Sequence, residues 1–232
     1  MKEQKKKIWL FLEEYFSQYG FKRRKQNNYI RTTNGNVIQD IGFTTATRGQ
    51  KHVVYLNPVV GIIYRDVDKL MLQLRDGLNP NIKDYGPMIC LPIGYLMPEN
   101  DFKEWKFTKD KDIREDAEDM AKAIIEYGSS YLEELSDVDQ MIYGLATSKY
   151  SYIGSEVRDY ILPVLYYLYG NSEQAVLTVE EAVTRRSNSI NIEEYKALQA
   201  IYGEDAIQIP PNKALDSYMP FVEKFRKFLA EK

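Results

Sequence analysis

Apolar residues recur at helical spacing at the start of the chain, where Ile8, Phe11, Leu12, Tyr15 and Tyr19 fall on one face. The pattern predicts an amphipathic helix that Gly20 ends. From Phe21 the text changes to short runs rich in Tyr, Ile, Thr and Val with polar turns between them. Residues 29–33, the pair Asn34-Gly35 and residues 36–45 read as a hairpin, because Asn-Gly supplies the positive φ angles of a tight type I′ turn. A third strand is expected at residues 52–56, and residues 59–64 are its continuation or a fourth; Asn57-Pro58 between them suits an edge or a bend. A short helix follows at residues 67–74, with Asp66 placed to cap it. Residues 77–100 hold Pro80, Pro87, Pro92 and Pro98, which predicts loop around one buried strand at residues 88–91. Trp105-Lys106-Phe107 then closes the sheet.

After Asp110 the β pattern stops. Ile113, Ala117, Met120, Ala121, Ile124, Gly128, Tyr131, Leu132 and Leu135 mark one face of a long helix, and Asp112, Glu115 and Asp116 favour its N-terminus. A second helix starts at Asp137, and a third, residues 155–169, contains Pro163 as a kink or an internal start. Gly170-Asn171-Ser172 is a stop followed by a cap, and Ala175, Val176, Val179 and Val183 form the apolar face of the next helix. Helices are also expected over residues 192–202 and 217–230. The plan is α+β: an N-terminal helix, an antiparallel sheet of about four to six strands, then a mostly helical C-terminal half. The change of pattern divides the chain into residues 1–109 and 110–232, the helical part packed on or beside the sheet as a separate domain or as one continuous domain.

Composition narrows the function more than the fold. The 232 residues are 44% apolar, enough for a sizeable core. Charged residues make up 28% with a formal net charge of −3, so no global field favours nucleic acid or an anionic membrane. No apolar run is long enough to span a bilayer, residues 161–169 being the longest candidate. The basic start, Met1 to Lys7, resembles the head of a signal peptide, but Glu13 and Glu14 interrupt the following apolar run, and the reading is a first helical turn in a cytoplasmic protein. A lone cysteine, Cys90, forms no internal disulfide and fits a reducing compartment.

Two local likenesses stand out. Residues 162–176, Leu-Pro-Val-Leu-Tyr-Tyr-Leu-Tyr-Gly-Asn-Ser-Glu-Gln-Ala-Val, look like the helix-turn-helix junction of tetratricopeptide-type hairpins, but as one junction without a repeat around it. The first 135 residues combine the amphipathic helix, Gly20-Phe21 with a basic strand, the Asn-Gly hairpin, Trp105-x-Phe107 and a helix ending Tyr131-Leu-Glu-Glu-Leu135. This resembles uncharacterised bacterial α+β domains, some of them encoded beside secreted toxins. The resemblance implies an immunity protein that binds and blocks a toxin, and it carries over no functional residues.

The chain is poor in reactive side chains, with one histidine and one cysteine among 19 tyrosines. His52 falls in an expected strand and Cys90 in an apolar one, so a structural imidazole and a buried, inert thiol are expected. His/Cys metal sites are excluded by count. Asp66-Val67-Asp68 and Asp137-Val138-Asp139 leave a carboxylate-held metal, and hence a metal-dependent enzyme, as an alternative, although neither has Ca²⁺-loop spacing and solvated helix starts explain both. A nuclease built on Asp40 lacks the Glu-x-Lys that should follow it. No phosphate-binding glycine motif is present, so no cofactor is expected.

Two surfaces remain. Lys22, Arg23, Arg24 and Lys25, close to Lys5 to Lys7 if the helix folds back, could form a phosphate or nucleic-acid patch; a charged edge strand is the plainer account. Glu133, Glu134, Asp137 and Asp139 gather acid at a helix junction, suited to a basic protein partner or, more plainly, to a capped turn. Tyrosines left over from the core would also suit a partner interface. The sequence therefore favours a non-enzymatic protein that binds another protein, with nucleic-acid binding through the basic strand as the alternative. Its oligomeric state stays open.

Overall fold

The computed structural model describes residues 2–25, 27–74, 86–108, 112–150 and 154–231. The chain forms two compact units, Met1–Asp68 with Tyr85–Ser151, and Lys69–Asp84 with Tyr152–Lys232.

The first unit opens with helix α1, Lys2–Ser17, whose apolar face carries Ile8, Leu12 and Phe16. Gly20 at φ +79° lets the chain turn back into the sheet. Strands β1 (Lys22–Lys25), β2 (Asn28–Thr32), β3 (Val37–Ala46), β4 (Val53–Tyr64) and β5 (Ile89–Pro92) lie side by side in that order, all antiparallel, and β6 (Trp105–Thr108) pairs the first part of β4. The α+β plan and the strand number agree with the sequence pattern. Helix α3, Ile113–Ser136, and α1 cover one face of the sheet. Between them Trp9 meets Phe43 edge-on at 5.4 Å and Phe16 meets Tyr29 at 5.1 Å, while the Tyr29 hydroxyl donates to the Trp9 carbonyl at 3.0 Å. Each such fully buried aromatic contributes about 1.5–3 kcal/mol of apolar transfer free energy. At Gly128 a Cβ would stand 3.2 Å from Val60, so the missing side chain lets α3 settle close on β4.

Three local expectations change. The Asn34-Gly35 turn is not a two-residue type I′ turn: Gly35 has φ +80° but Asn34 does not reach positive φ, and Thr33 donates its N–H to the Val37 carbonyl at 3.0 Å. The Asn34 side chain organises this longer loop, accepting from the Val37 N–H at 2.9 Å. Residues 59–64 are the continuation and not a separate strand, and Asn57-Pro58 makes no edge or break: β4 runs twelve residues through the pair. Phe43 turns its own N–H to Asn27, so the Phe43–Pro58 pair exchanges no ladder bond and the proline's missing N–H faces the break where β4 changes partner from β6 to β5. His52 lies before β4 in an exposed turn at φ +68°, not in the strand.

Helix α2, Arg65–Leu74, begins before Asp66, whose N–H is taken instead by the Asn36 side chain at 3.1 Å. Helix α4, Val138–Ala146, follows α3 directly. The first unit therefore extends past residue 109 to Ser151, because the apolar face of α3 packs on the sheet.

In the second unit α5, Ser155–Leu168, runs through Pro163, and α6, Ser172–Ser187, starts at the Asn171 cap after Gly170 at φ +95°. Arg185 and Arg186, at the end of α6, both bind Asp159 near the start of α5, which makes the pair an antiparallel hairpin. The buried face of α6 is Ala175, Thr178, Val179, Ala182 and Arg186, whereas Val176 is exposed. Helices α7 (Ile192–Tyr202), α8 (Lys213–Asp216) and α9 (Met219–Ala230) complete it, and Tyr218, Phe221 and Phe225 supply its aromatic core. Among the described residues no helix is long and apolar enough to cross a membrane.

Candidate functional site

The acidic residues chosen from the sequence lie where α3 gives way to α4, and the fold uses two of them. Asp137 is the N-cap of α4: its Oδ1 accepts the N–H groups of Asp139 at 2.9 Å and Gln140 at 3.0 Å. Glu134 accepts from Lys149 Nζ and from the Tyr150 hydroxyl, both at 2.8 Å, and the Lys149 hydrogen bond holds its carboxyl below the ordinary value. Tyr150 is buried because Gly144 on α4 leaves room for its ring. Glu133 and Asp139 remain exposed. One turn beyond Asp139 on the same helical face stands Tyr143, 59% exposed. Sequence reading did not single out Tyr143, although helical spacing leaves it off the apolar face of Val138, Met141, Ile142 and Leu145.

The basic residues Lys22, Arg23, Arg24 and Lys25 form β1, an edge strand as the charge run predicts. They do not present one face. Arg23 turns to α1 and pairs with Glu13 at 3.0 Å, while Arg24 and Lys25 act electrostatically on Asp40. Of the N-terminal lysines, Lys5 lines one small hollow with Trp9, Thr45 and Asn27, beyond the end of β1, whereas Lys7 lines another with Asp112 and Arg114 at the start of α3.

Asp40 itself is buried at the centre of the sheet, on the face away from α1 and α3. Across the strands it stands in a row with Ile30, Gly61 and Cys90. Asn28 Nδ2 lies 2.9 Å from Oδ1 and 3.1 Å from Oδ2. Burial pushes the carboxyl pKa up, opposed by the Asn28 hydrogen bond and the Arg24 and Lys25 charges. Gly61 is required there, because a Cβ would fall 2.6 Å from the Ile89 carbonyl oxygen and 2.8 Å from Cys90 Cβ. Cys90 is exposed, not buried as its apolar surroundings suggest: β5 is a short strand whose alternation turns Ile89 and Leu91 inward and Cys90 outward. Among the described residues no group of three or more His, Cys, Asp or Glu could hold a metal ion, the pairs Asp66/Asp68 and Asp137/Asp139 included.

Residues 12–134 match the family model of a domain of unknown function, DUF4304, and the chain belongs to that family. The matched span runs from α1 through the sheet to the last turns of α3. It thus contains β1, Asp40, Glu133 and Glu134, and leaves out Asp137, Asp139 and the larger part of the second unit, Tyr152–Lys232. The uncharacterised α+β domain that the sequence resembles is met in this family. No curated protein matches the chain, and no solved structure does.

Proposed function

We propose that the protein is a non-enzymatic binding factor that acts in the cytoplasm by holding another protein, in the manner of a toxin-immunity protein, and that the α3–α4 corner is its contact surface. The observation that carries this is Tyr143, more than half exposed and one helical turn from the exposed Asp139. An exposed tyrosine bordered by carboxylates is the composition of an interface anchor with a charged rim, suited to a basic partner surface. The corner is also braced: the Asp137 cap and the Glu134–Lys149–Tyr150 contacts hold α4 without using the side chains of Tyr143 or Asp139.

The test is co-production with the product of the neighbouring gene. The parent chain should recover that protein in equal amounts and protect cells from it, and Tyr143→Ala with Asp139→Lys should lose both effects while staying folded. Recovery of the free chain alone, with no protection, overturns the reading.

A further inference from the structure

Helix α1 and the end of β3 border a hollow of about 200 Å³ lined by Lys5, Trp9, Asn27 and Thr45. Packing of α1 on the sheet brings the four together. Lys5 and Trp9 stand one turn apart on α1 and share a face. Thr45 follows Phe43 by two residues on β3, on the side of the sheet where the Phe43 ring meets Trp9. Asn27 is tied to Phe43 twice: its Nδ2 donates to the Phe43 carbonyl at 2.8 Å, and its own carbonyl accepts the Phe43 N–H at 3.1 Å. The contacts that seat α1 on the sheet therefore also fix the walls of the hollow.

Each of the four side chains carries a hydrogen-bond donor, and no carboxylate lines the hollow. Three of these donors meet no acceptor among the described residues: the buried indole N–H of Trp9, the Thr45 hydroxyl and the ammonium of the half-buried Lys5. A buried N–H without an acceptor is costly, and an unpaired ammonium beside it attracts negative charge. The missing counterpart is an anion rich in acceptors. A carboxylate offers two acceptor oxygens and a phosphate monoester three, so the phosphate suits a site of several donors better. We propose that the hollow binds the phosphate group of a small ligand, as free phosphate or as a monoester, with Lys5 supplying the charge and Trp9, Thr45 and Asn27 donating to its oxygens. The basic side chains of β1 take no part: none of them lines the hollow, and Arg23 is paired with Glu13.

The indole N–H resonance of Trp9 is the readout. Trp105, the other tryptophan, has its Nε1 bonded to Asp119 at 2.7 Å and serves as an internal reference. In heteronuclear spectra of the isotope-labelled whole chain, inorganic phosphate at constant ionic strength should move the Trp9 signal downfield to saturation and leave Trp105 in place. Parallel titrations with glycerol phosphate and with acetate identify the group. Acetate should bind more weakly than either phosphate; a monoester that matches or exceeds inorganic phosphate marks the ester as the occupant, and a weaker one marks the free ion. Lys5→Met should weaken binding by about tenfold or more, the loss of one charge-assisted hydrogen bond. Lys6→Met makes the same change of charge at an exposed residue outside the hollow and should leave binding unchanged. Thr45→Val, which removes the hydroxyl at similar volume, should weaken it by less than Lys5→Met. A Trp9 signal that stays still, that moves as far with chloride, or that moves equally in Lys5→Met overturns the proposal, and so does tighter binding of acetate.

Discussion

Arg186 donates from both Nε and Nη2 to a single oxygen of Asp159, Oδ2, at 3.1 and 2.9 Å, with both side chains less than a tenth exposed. Arg185 takes the other carboxylate oxygen. The remaining Arg186 nitrogen, Nη1, donates to the Ala214 carbonyl at 2.9 Å, and the ring of Tyr218 lies 4.6 Å from the guanidinium carbon. Tyr218 in turn donates its hydroxyl to the Asp159 carbonyl at 3.0 Å, and burial pushes its pKa up. One ion pair thus joins α5, α6 and the α8–α9 segment. Its energetic weight lies in what happens when it is broken: two desolvated charges that satisfy each other contribute little net, but one left alone is costly.

Asp159→Ala should therefore lower the stability of the second unit by about 3–5 kcal/mol, the cost of stranding a buried arginine. Urea denaturation followed by far-ultraviolet dichroism should show helical signal lost at lower urea. Asp159→Asn, which keeps an acceptor, should lose less. A shift below about 1 kcal/mol would mean that Arg186 finds another acceptor.

Gly144→Ala should destabilise the α3–α4 corner although alanine favours helix. A Cβ there would sit 2.2 Å from Tyr150 Cε2 and 2.4 Å from its Cζ, so the buried ring must move and the Tyr150–Glu134 hydrogen bond with it. The expected loss is about 1–3 kcal/mol, the range for an overpacked site. Combining it with Tyr150→Ala should remove the clash, so the double variant should be no less stable than Tyr150→Ala alone.

Much of the fold is legible because its signals are local. The turn at Gly20, the Asn171 cap after Gly170 and the Asp137 cap of α4 are each written within a few residues and appear as read, whereas the buried face of α1 takes in Trp9 and Phe16 and leaves Tyr19 exposed. What escaped depends on partners far along the chain. Pro58 breaks a strand only if its N–H is needed, and it is not needed because β5 and β6 take separate stretches of β4. Cys90 looks buried in Met88-Ile89-Cys90-Leu91, yet which face of a short strand turns outward depends on register with β4. At the candidate corner the acids were visible, but the division of labour among them was not. Lys149 and Tyr150, which occupy Glu134, lie 15 and 16 residues away.

Tyr143→Ala is expected to be nearly silent in the isolated protein. Its side chain is 59% exposed, so its loss should change stability by no more than about 0.5 kcal/mol. The same change should remove the partner in the co-production assay. A variant that melts well below the parent would show that Tyr143 serves the fold and would remove the main support for the proposed contact surface.

Asp40 makes a pH prediction whose sign follows from its surroundings. Burial raises its folded pKa above the value of about 3.9 for a free aspartate. Below that ordinary value the side chain is protonated in folded and unfolded chains alike and costs nothing. As pH rises, the unfolded chain ionises first, so the fold loses stability through the window up to the raised pKa and keeps that deficit above it. Asp40→Asn removes the titration while leaving a carbonyl oxygen for the Asn28 amide. The variant should therefore be more stable than the parent at neutral pH, and its advantage should shrink as pH falls toward about 4. The other titrating groups are common to both chains and cancel in the difference between their urea midpoints. Arg24→Ala in the parent background should deepen the deficit at neutral pH, because it removes a charge that favours the ionised carboxylate. An advantage that stays the same at both ends of the range would show that the Asp40 pKa is not raised in the folded protein.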